Sequence, residues 1–343
     1  EWQARVAAME DRLRDLADQD PDDRRSLALE RLAGQLDWHR REEKSQWWRW
    51  FELKDALTVE DLVGERDAIG GLTFLDEHAE GKMLVRRYRF EPQDHNFDLG
   101  EAPLDKGTGR GAGTIRALDD EEGIVTLVRS KSVEWPHPTA LLPHKPIDSR
   151  VTKEALMRVA EAVVDDGIDG AGPFRAARDF LLRRAPRLRS APWGASALAL
   201  PGESASDAAI RLAPDLDATV LPIQGPPGTG KTWTAARMIL ALVREDRTVG
   251  ITAQSHKTIS NLLEAIREAL DEDGRQAPRV LQRAGPLDDH AAHLPFVTLA
   301  DNGQVAIALD EGGVDIVAGT PWLFARPELE GLIDVLFVDE AGQ

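Results

Sequence analysis

The stretch VLPIQGPPGTGKTWTAARMILAL, residues 220–242, constrains this chain more than any other. It reads as an apolar strand, a Gly/Pro-rich turn and a long amphipathic helix in immediate succession. Gly225, Gly230, Lys231 and Thr232 fit the pattern G-x-x-x-x-G-K-[ST], with Pro226, Pro227, Gly228 and Thr229 between them. Glycines at these places let backbone N–H groups curl around a phosphate without Cβ clashes. Lys231 brings a point charge to the β- and γ-phosphates, and the Thr232 hydroxyl suits Mg²⁺. The helix that starts here turns its N-terminus toward the anion. A second acidic element is expected at the end of a hydrophobic strand, and IDVLFVDEAGQ supplies it. Leu336, Phe337 and Val338 read as a fully buried strand. Asp339 stands at its carboxyl end, where open α/β sheets bind ligands. Asp339 is expected to hold Mg²⁺ through water, and Glu340 to position and polarise the attacking water. No N-K-x-D sequence specifies guanine.

Length and composition bound the rest. A chain of 343 residues accommodates two or three domains. There is no cysteine, which excludes disulfides, zinc–thiolate sites and iron–sulfur clusters. No apolar run is long enough to cross a membrane and no signal peptide opens the chain, so a cytoplasmic protein with no membrane partner is expected. The formal net charge of -18 argues against a simple nucleic-acid-coating role. A local basic track stays compatible with that total, because the field at a site matters more than the sum. The chain begins at Glu1 and runs only two residues past DEA, so both ends look cut from something longer.

The texture changes along the chain. Residues 1–80 place apolar residues three and four apart in RVAAMEDRLRDLA and RRSLALERLAGQLDWHRREE, which predicts a helical region. Residues 81–145 carry short β-rich runs split by Gly, Pro and Asp turns, read as a small β-barrel. Helical texture returns over 146–190, residues 191–207 form a Pro/Gly/Ser-rich linker, and strands and helices alternate over 208–343. The expected fold class is therefore α/β, a parallel sheet around a phosphate loop, preceded by a helical region and a small barrel.

Four segments together carry a family resemblance. GPPGTGKT, GITAQSHKTISNLL, VAGTP and VDEAGQ resemble motifs I, Ia, a Ib/Ic-like element and II of superfamily 1 helicases. The branch is similar to the nonsense-mediated-decay helicase group, in which a helical stalk and a β-barrel precede or interrupt the first RecA-like domain. LDWHRREEKSQWWRWFEL and LPIQGPPGTGKT further resemble bacterial proteins that fuse an N-terminal RecB-like nuclease to such a helicase. The resemblance implies ATP with Mg²⁺ as the nucleotide, single-stranded DNA in preference to RNA as the track, and a RecA-like sheet that is incomplete at the C-terminus. It implies a second RecA-like domain, and a nuclease domain before Glu1, outside this chain. By the same resemblance Gln343 senses the γ-phosphate, while Ser255, His256, Lys257 and Thr320 touch the nucleic acid. Hydroxyls, a cation and a helix N-terminus do suit phosphate contacts, but Ser255 is equally a good helix cap. The glutamine-containing adenine motif has no clear counterpart, since Gln224 lies too close to the loop; adenine preference is implied by the family alone.

Other features carry blander expectations. Trp47, Trp50 and Phe51 share one helical face and read as core. GTGRGAGT, residues 107–114, lacks the Lys-Ser/Thr ending and reads as a turn. Arg183, Arg184, Arg187 and Arg189 read as a solvated helix end. His290 and His293 lie in a surface loop.

Overall fold

The computed structural model describes residues 1–343 except 133–135, 191–197, 275, 286–289 and 343. Three helices open the chain: α1 (Trp2–Gln19), α2 (Asp23–Leu36) and α3 (Trp38–Phe51). Six strands follow, β1 (Thr73–Glu80), β2 (Met83–Arg89), β3 (Leu104–Asp105), β4 (Thr114–Asp119), β5 (Ile124–Ser130) and β6 (Leu141–Leu142). Helices α4 (Arg150–Asp166), α5 (Arg175–Leu181) and α6 (Ala205–Leu212) lead to an alternating segment. That segment comprises α7 (Lys231–Val243), β7 (Val249–Thr252), α8 (His256–Asp273), β8 (Val280–Gln282), β9 (Val297–Leu299), α9 (Asn302–Asp310), β10 (Ile316–Ala318), α10 (Pro321–Phe324) and β11 (Val335–Val338). The chain divides into two compact units, one formed by Glu1–His39 with Ser149–Gln343, the other by Arg40–Asp148.

In the first unit the helices on either side of the inserted one share a core. Leu13 of α1, Leu29, Leu32 and Leu36 of α2, and Met157, Ala160 and Val163 of α4 pack into one buried cluster. Their spacing of three and four residues puts them on single helical faces. The α2 helix starts cleanly because the Asp22 carboxylate accepts the backbone N–H groups of Arg24 and Arg25. Of the four arginines expected to form a solvated end, Arg183 and Arg189 are exposed, whereas Arg184 and Arg187 are drawn inward. Arg175, Arg184 and Arg187 converge on Asp179, which is only 2 % exposed. The buried Arg178 donates to the carbonyls of Gly167, Gly170 and Gly172. A buried carboxylate needs such partners, and the sequence alone could not show that Asp179 is buried.

The rest of the first unit is a five-stranded parallel sheet in the order β11-β7-β10-β8-β9. Its buried strands pack against α7 and α8 through Val249, Ile251, Ile316, Ile239, Leu263 and Ile266. Gly250 in β7 is required by crowding: a Cβ there would lie 2.7 Å from Leu336 and 2.8 Å from Phe324. A parallel sheet of βα units with a phosphate-binding turn is an α/β P-loop fold.

Two expectations about this sheet need correction. Residues 220–223 do not form a strand; Leu221 packs against the core while Ile223 is 44 % exposed. Pro222 offers no N–H to a ladder. Nor is the 336–338 run fully buried. Among the described residues β11 pairs on one side only, with β7, and Leu336 and Val338 are 43 % and 54 % exposed. A strand at an edge keeps one side free, and a half-exposed apolar edge is a template for association. Val338→Lys is accordingly expected to weaken concentration-dependent self-association by about tenfold, the worth of burying one valine side chain; sedimentation velocity over a concentration series would read it.

A bidentate pair ties β8 to β10. Arg279 donates its backbone N–H and its Nη2 to Asp315, at 2.7 and 2.9 Å. The guanidinium hydrogen bond holds the Asp315 carboxyl below its ordinary value, against the opposing effect of burial. Asp315→Asn is expected to cost about 0.5–1 kcal/mol at neutral pH, at the better end for a partly exposed pair. Because the folded carboxylate is the more acidic one, its contribution is complete above the ordinary aspartate range near ~3.9 and is lost as pH falls through the lowered range. The stability gap between parent and variant, read by urea denaturation, should therefore hold constant near neutrality and close in acid.

The second unit is β-rich. Strands β1, β2, β5 and β4 form an antiparallel sheet in that order, and β3 pairs with β6 in a separate ribbon. Beyond these strands, the Ile115 N–H of β4 donates to the Glu101 carbonyl at 2.7 Å and Ile69 bridges Leu141. The sheet begins at Thr73, inside the span expected to be helical. The burial signal there is weak because every residue of β1 is exposed, while Tyr88, Val125, Leu127 and Ile115 form the core. The turn at 107–114 is closed by Asp105, whose carboxylate accepts the N–H groups of Gly107 and Thr108; it is a turn, as expected. Of the aromatic face on α3, Trp50 is buried, Trp47 is half-buried and Phe51 is 47 % exposed, so only part of it is core. No helix among the described residues is long and apolar enough to cross a membrane.

Candidate functional site

The phosphate loop, residues 225–232, leads directly into α7. Gly230 caps that helix in the left-handed region at φ 82°, and Gly228 sits at φ 79°. Both are conformations that glycine adopts without strain. A Cβ on Gly225 would lie 2.5 Å from the Thr229 hydroxyl, so the loop closes only around a bare glycine. Thr229 holds the turn by donating to the Pro226 carbonyl at 2.8 Å. Among the described residues no side chain caps α7. The first backbone N–H groups of a helix lack intrahelical acceptors, and an uncapped set behind a glycine turn suits a phosphate.

Lys231 is half-buried, and its Nζ donates to the carbonyls of Gly225 and Pro226, at 2.7 and 3.0 Å. An ammonium has three donors. Two thus span the loop, and the same group is positioned to meet an anion held by it. Thr232, also half-buried, occupies the first turn of α7. Thr234 is buried, donates to the Gly230 carbonyl at 3.0 Å and meets Ser206 of α6 at 2.9 Å. Those two hydroxyls fix the base of the loop, a role the sequence pattern does not announce.

The second set of residues lies at the carboxyl edge of the sheet. Val338 is in register with Thr252, and the Asp339 N–H donates to the Thr252 carbonyl at 2.9 Å. Asp339 therefore emerges where β11 ends, as its place in the sequence predicts. Its Oδ1 accepts the Glu340 N–H at 2.9 Å, and Glu340 takes a left-handed backbone at φ 54°. Among the described residues the buried Thr252 hydroxyl has no hydrogen-bond partner, a polar atom of the kind that lines ligand sites.

Ser255 caps α8: its hydroxyl accepts the Thr258 N–H at 3.1 Å. His256 is half-buried and Lys257 exposed. Thr320 precedes α10, where Pro321 takes the first helical position and the threonine side chain makes no capping bond. Because β7 and β10 are neighbours, with the Gly319 N–H donating to Ile251, the loops carrying Ser255 and Thr320 stand side by side. The segment that begins at Ser255 is linked to the acidic pair: Thr258 donates to Glu340 at 3.3 Å. No hydrogen bond joins Lys231 or Thr232 to Asp339 or Glu340 among the described residues. Gln343 lies outside the described residues. His293 is exposed and pairs with Glu264.

A protein-family model described as an AAA domain matches residues 216–312. That span holds the phosphate loop, α7 and everything through α9. The chain carries a P-loop NTPase domain. Such domains bind and hydrolyse nucleoside triphosphates, generally with Mg²⁺, and the glycine loop, uncapped α7 and Lys231 fit the phosphates. The match ends before Asp339, so the acidic half of the site rests on the sheet's geometry. No curated protein matches the chain.

Proposed function

We propose that the chain is the first motor domain of a superfamily 1 helicase of the nonsense-mediated-decay-like branch, an ATPase driven by single-stranded DNA. The observation that carries the reading is the shared edge: the Ser255 and Thr320 loops follow adjacent parallel strands, and the first of them is hydrogen-bonded through Thr258 to Glu340. A site that hydrolyses a triphosphate and a site that grips a strand would thereby stand in contact.

In this reading residues 225–232 hold the ATP phosphates, Thr232 and Asp339 hold Mg²⁺, and Glu340 orients the attacking water. The bound ion supplies charge neutralisation at the phosphates. Gln343 senses the γ-phosphate, and Ser255, His256, Lys257 and Thr320 bind the DNA backbone. Residues 208–343 form the motor domain, joined by the linker 191–207, of which 191–197 lie outside the described residues, to helical stalk segments before and after a small β-domain that begins at Thr73. A second RecA-like domain completes the ATP site, and a RecB-like nuclease shares the polypeptide of a cytoplasmic DNA-processing enzyme.

The test is ATP hydrolysis by the purified protein with and without oligodeoxythymidylate or oligouridylate. Stimulation by DNA supports the reading. Stimulation by RNA alone makes the protein an RNA helicase of the same branch. Turnover indifferent to both polymers would reduce it to a nucleotide-dependent switch or clamp.

A further inference from the structure

We infer that Thr258 is a positioning residue that restrains Glu340 through its hydroxyl, and that occupancy of Ser255 by a strand releases the restraint. The second half of this inference rests on the proposed strand contact; the first half does not. Three hydrogen bonds fix the arrangement. Thr258 Oγ1 and Glu340 Oε2 are 3.3 Å apart, Ser255 Oγ and Thr258 Oγ1 are 2.9 Å apart, and the Thr258 N–H reaches Ser255 Oγ at 3.1 Å.

The proton directions follow from the inventory of donors. A carboxylate only accepts, so the single Thr258 hydroxyl proton goes to Glu340. Thr258 can then only accept from Ser255, whose own proton is committed to it. Ser255 Oγ meanwhile accepts the Thr258 N–H. Every hydroxyl proton is used once, in a chain running from Ser255 to Glu340. Bonds in such a chain polarise one another, so removing the first weakens the second.

The two ends of the chain have opposite exposure to partners. Ser255 is exposed at the start of α8, where a phosphate oxygen would compete for its proton. Glu340 is exposed beside Asp339 and held at φ 54°, a backbone that gives its side chain a direction its neighbours must maintain. A carboxylate oxygen that already accepts from Thr258 is a poorer acceptor for water. When a strand takes the Ser255 proton, the Thr258 bond weakens and Glu340 becomes available to orient water. Strand binding would thus raise turnover without any rearrangement of the sheet.

Thr258→Val keeps the shape of the side chain and removes the hydroxyl; Thr258→Ser keeps the hydroxyl. In the purified protein, Thr258→Val is expected to raise hydrolysis without polymer about threefold to tenfold, the equivalent of one ordinary hydrogen bond, and to shrink stimulation by oligodeoxythymidylate by the same factor. Thr258→Ser should restore the parent values. Ser255→Gly, which costs α8 little as a cap, should raise the unstimulated rate in the same direction. Binding of a fluorescent ATP analogue confirms that each variant is folded. An unstimulated rate that is unchanged or lower in Thr258→Val overturns the restraint. A raised unstimulated rate with stimulation undiminished overturns the coupling. If the parent protein responds to no polymer, the strand-contact reading falls, and a raised rate in Thr258→Val still supports the restraint on Glu340.

Discussion

Lys231→Ala should weaken triphosphate binding by about 10- to 100-fold, the loss of a hydrogen bond to a charged group. What binding remains should turn over at least ~10²-fold more slowly, because a preorganised charge at the transferring phosphoryl group is lost. Two effects add. The ammonium is the loop's own staple, donating to Gly225 and Pro226 at 2.7 and 3.0 Å. It is also the cation closest in sequence to the glycine turn. Lys231→Met, which keeps the apolar stem, should match the alanine variant, showing that charge and not packing is at stake. Titration with a fluorescent ATP analogue reads the first effect, and phosphate release at saturating ATP reads the second. Melting temperature should barely move, since α7 is anchored independently through Ile239, Leu240 and Leu242. Undiminished binding by the alanine variant would contradict the phosphate site itself.

The contrast between Lys231 and Thr258 explains what the sequence discloses. The phosphate loop is legible because its chemistry is local: turn, lysine, hydroxyl and helix start lie within eight consecutive residues. The same holds for the Ser255 cap and for Asp339 at the end of an apolar run. Thr258 is silent in the sequence because its partner Glu340 is 82 residues away, and only the pairing of β7 with β11 brings them together. Asp179 escapes for the same reason, its burial being a property of the packed unit. The apolar run 336–338 was misleading in the opposite sense. Continuous hydrophobicity describes a strand's composition, whereas burial depends on its neighbours, and β11 pairs with β7 alone among the described strands. In the second unit the strand-rich texture was readable, while the pairing of its strands is a property of the folded unit that alternation along one strand does not encode.

Glu340→Gln separates binding from chemistry. The amide is isosteric, still accepts a hydrogen bond from Thr258, and leaves Asp339 and the phosphate loop untouched. Triphosphate affinity should stay within about twofold of the parent, while hydrolysis falls by about 10²- to 10⁴-fold, the range for losing a positioned proton acceptor. A variant that binds and does not release phosphate would accumulate the triphosphate complex, visible as retained label in a filter-binding chase. Glu340→Gly supplies the complementary control. Glycine occupies φ 54° without the ~1–2 kcal/mol that a left-handed L-residue carries, a gain offset by its larger unfolded-state entropy. Its stability should therefore equal or slightly exceed the parent's even though its turnover is lost. An inactive but unimpaired fold places Glu340 in the chemistry; a glycine variant that melts early would instead make it a structural residue of the β11 turn. The pair of variants decides whether the left-handed backbone at the end of β11 is maintained for function: Glu340 is exposed, and among the described residues its side chain hydrogen-bonds Thr258.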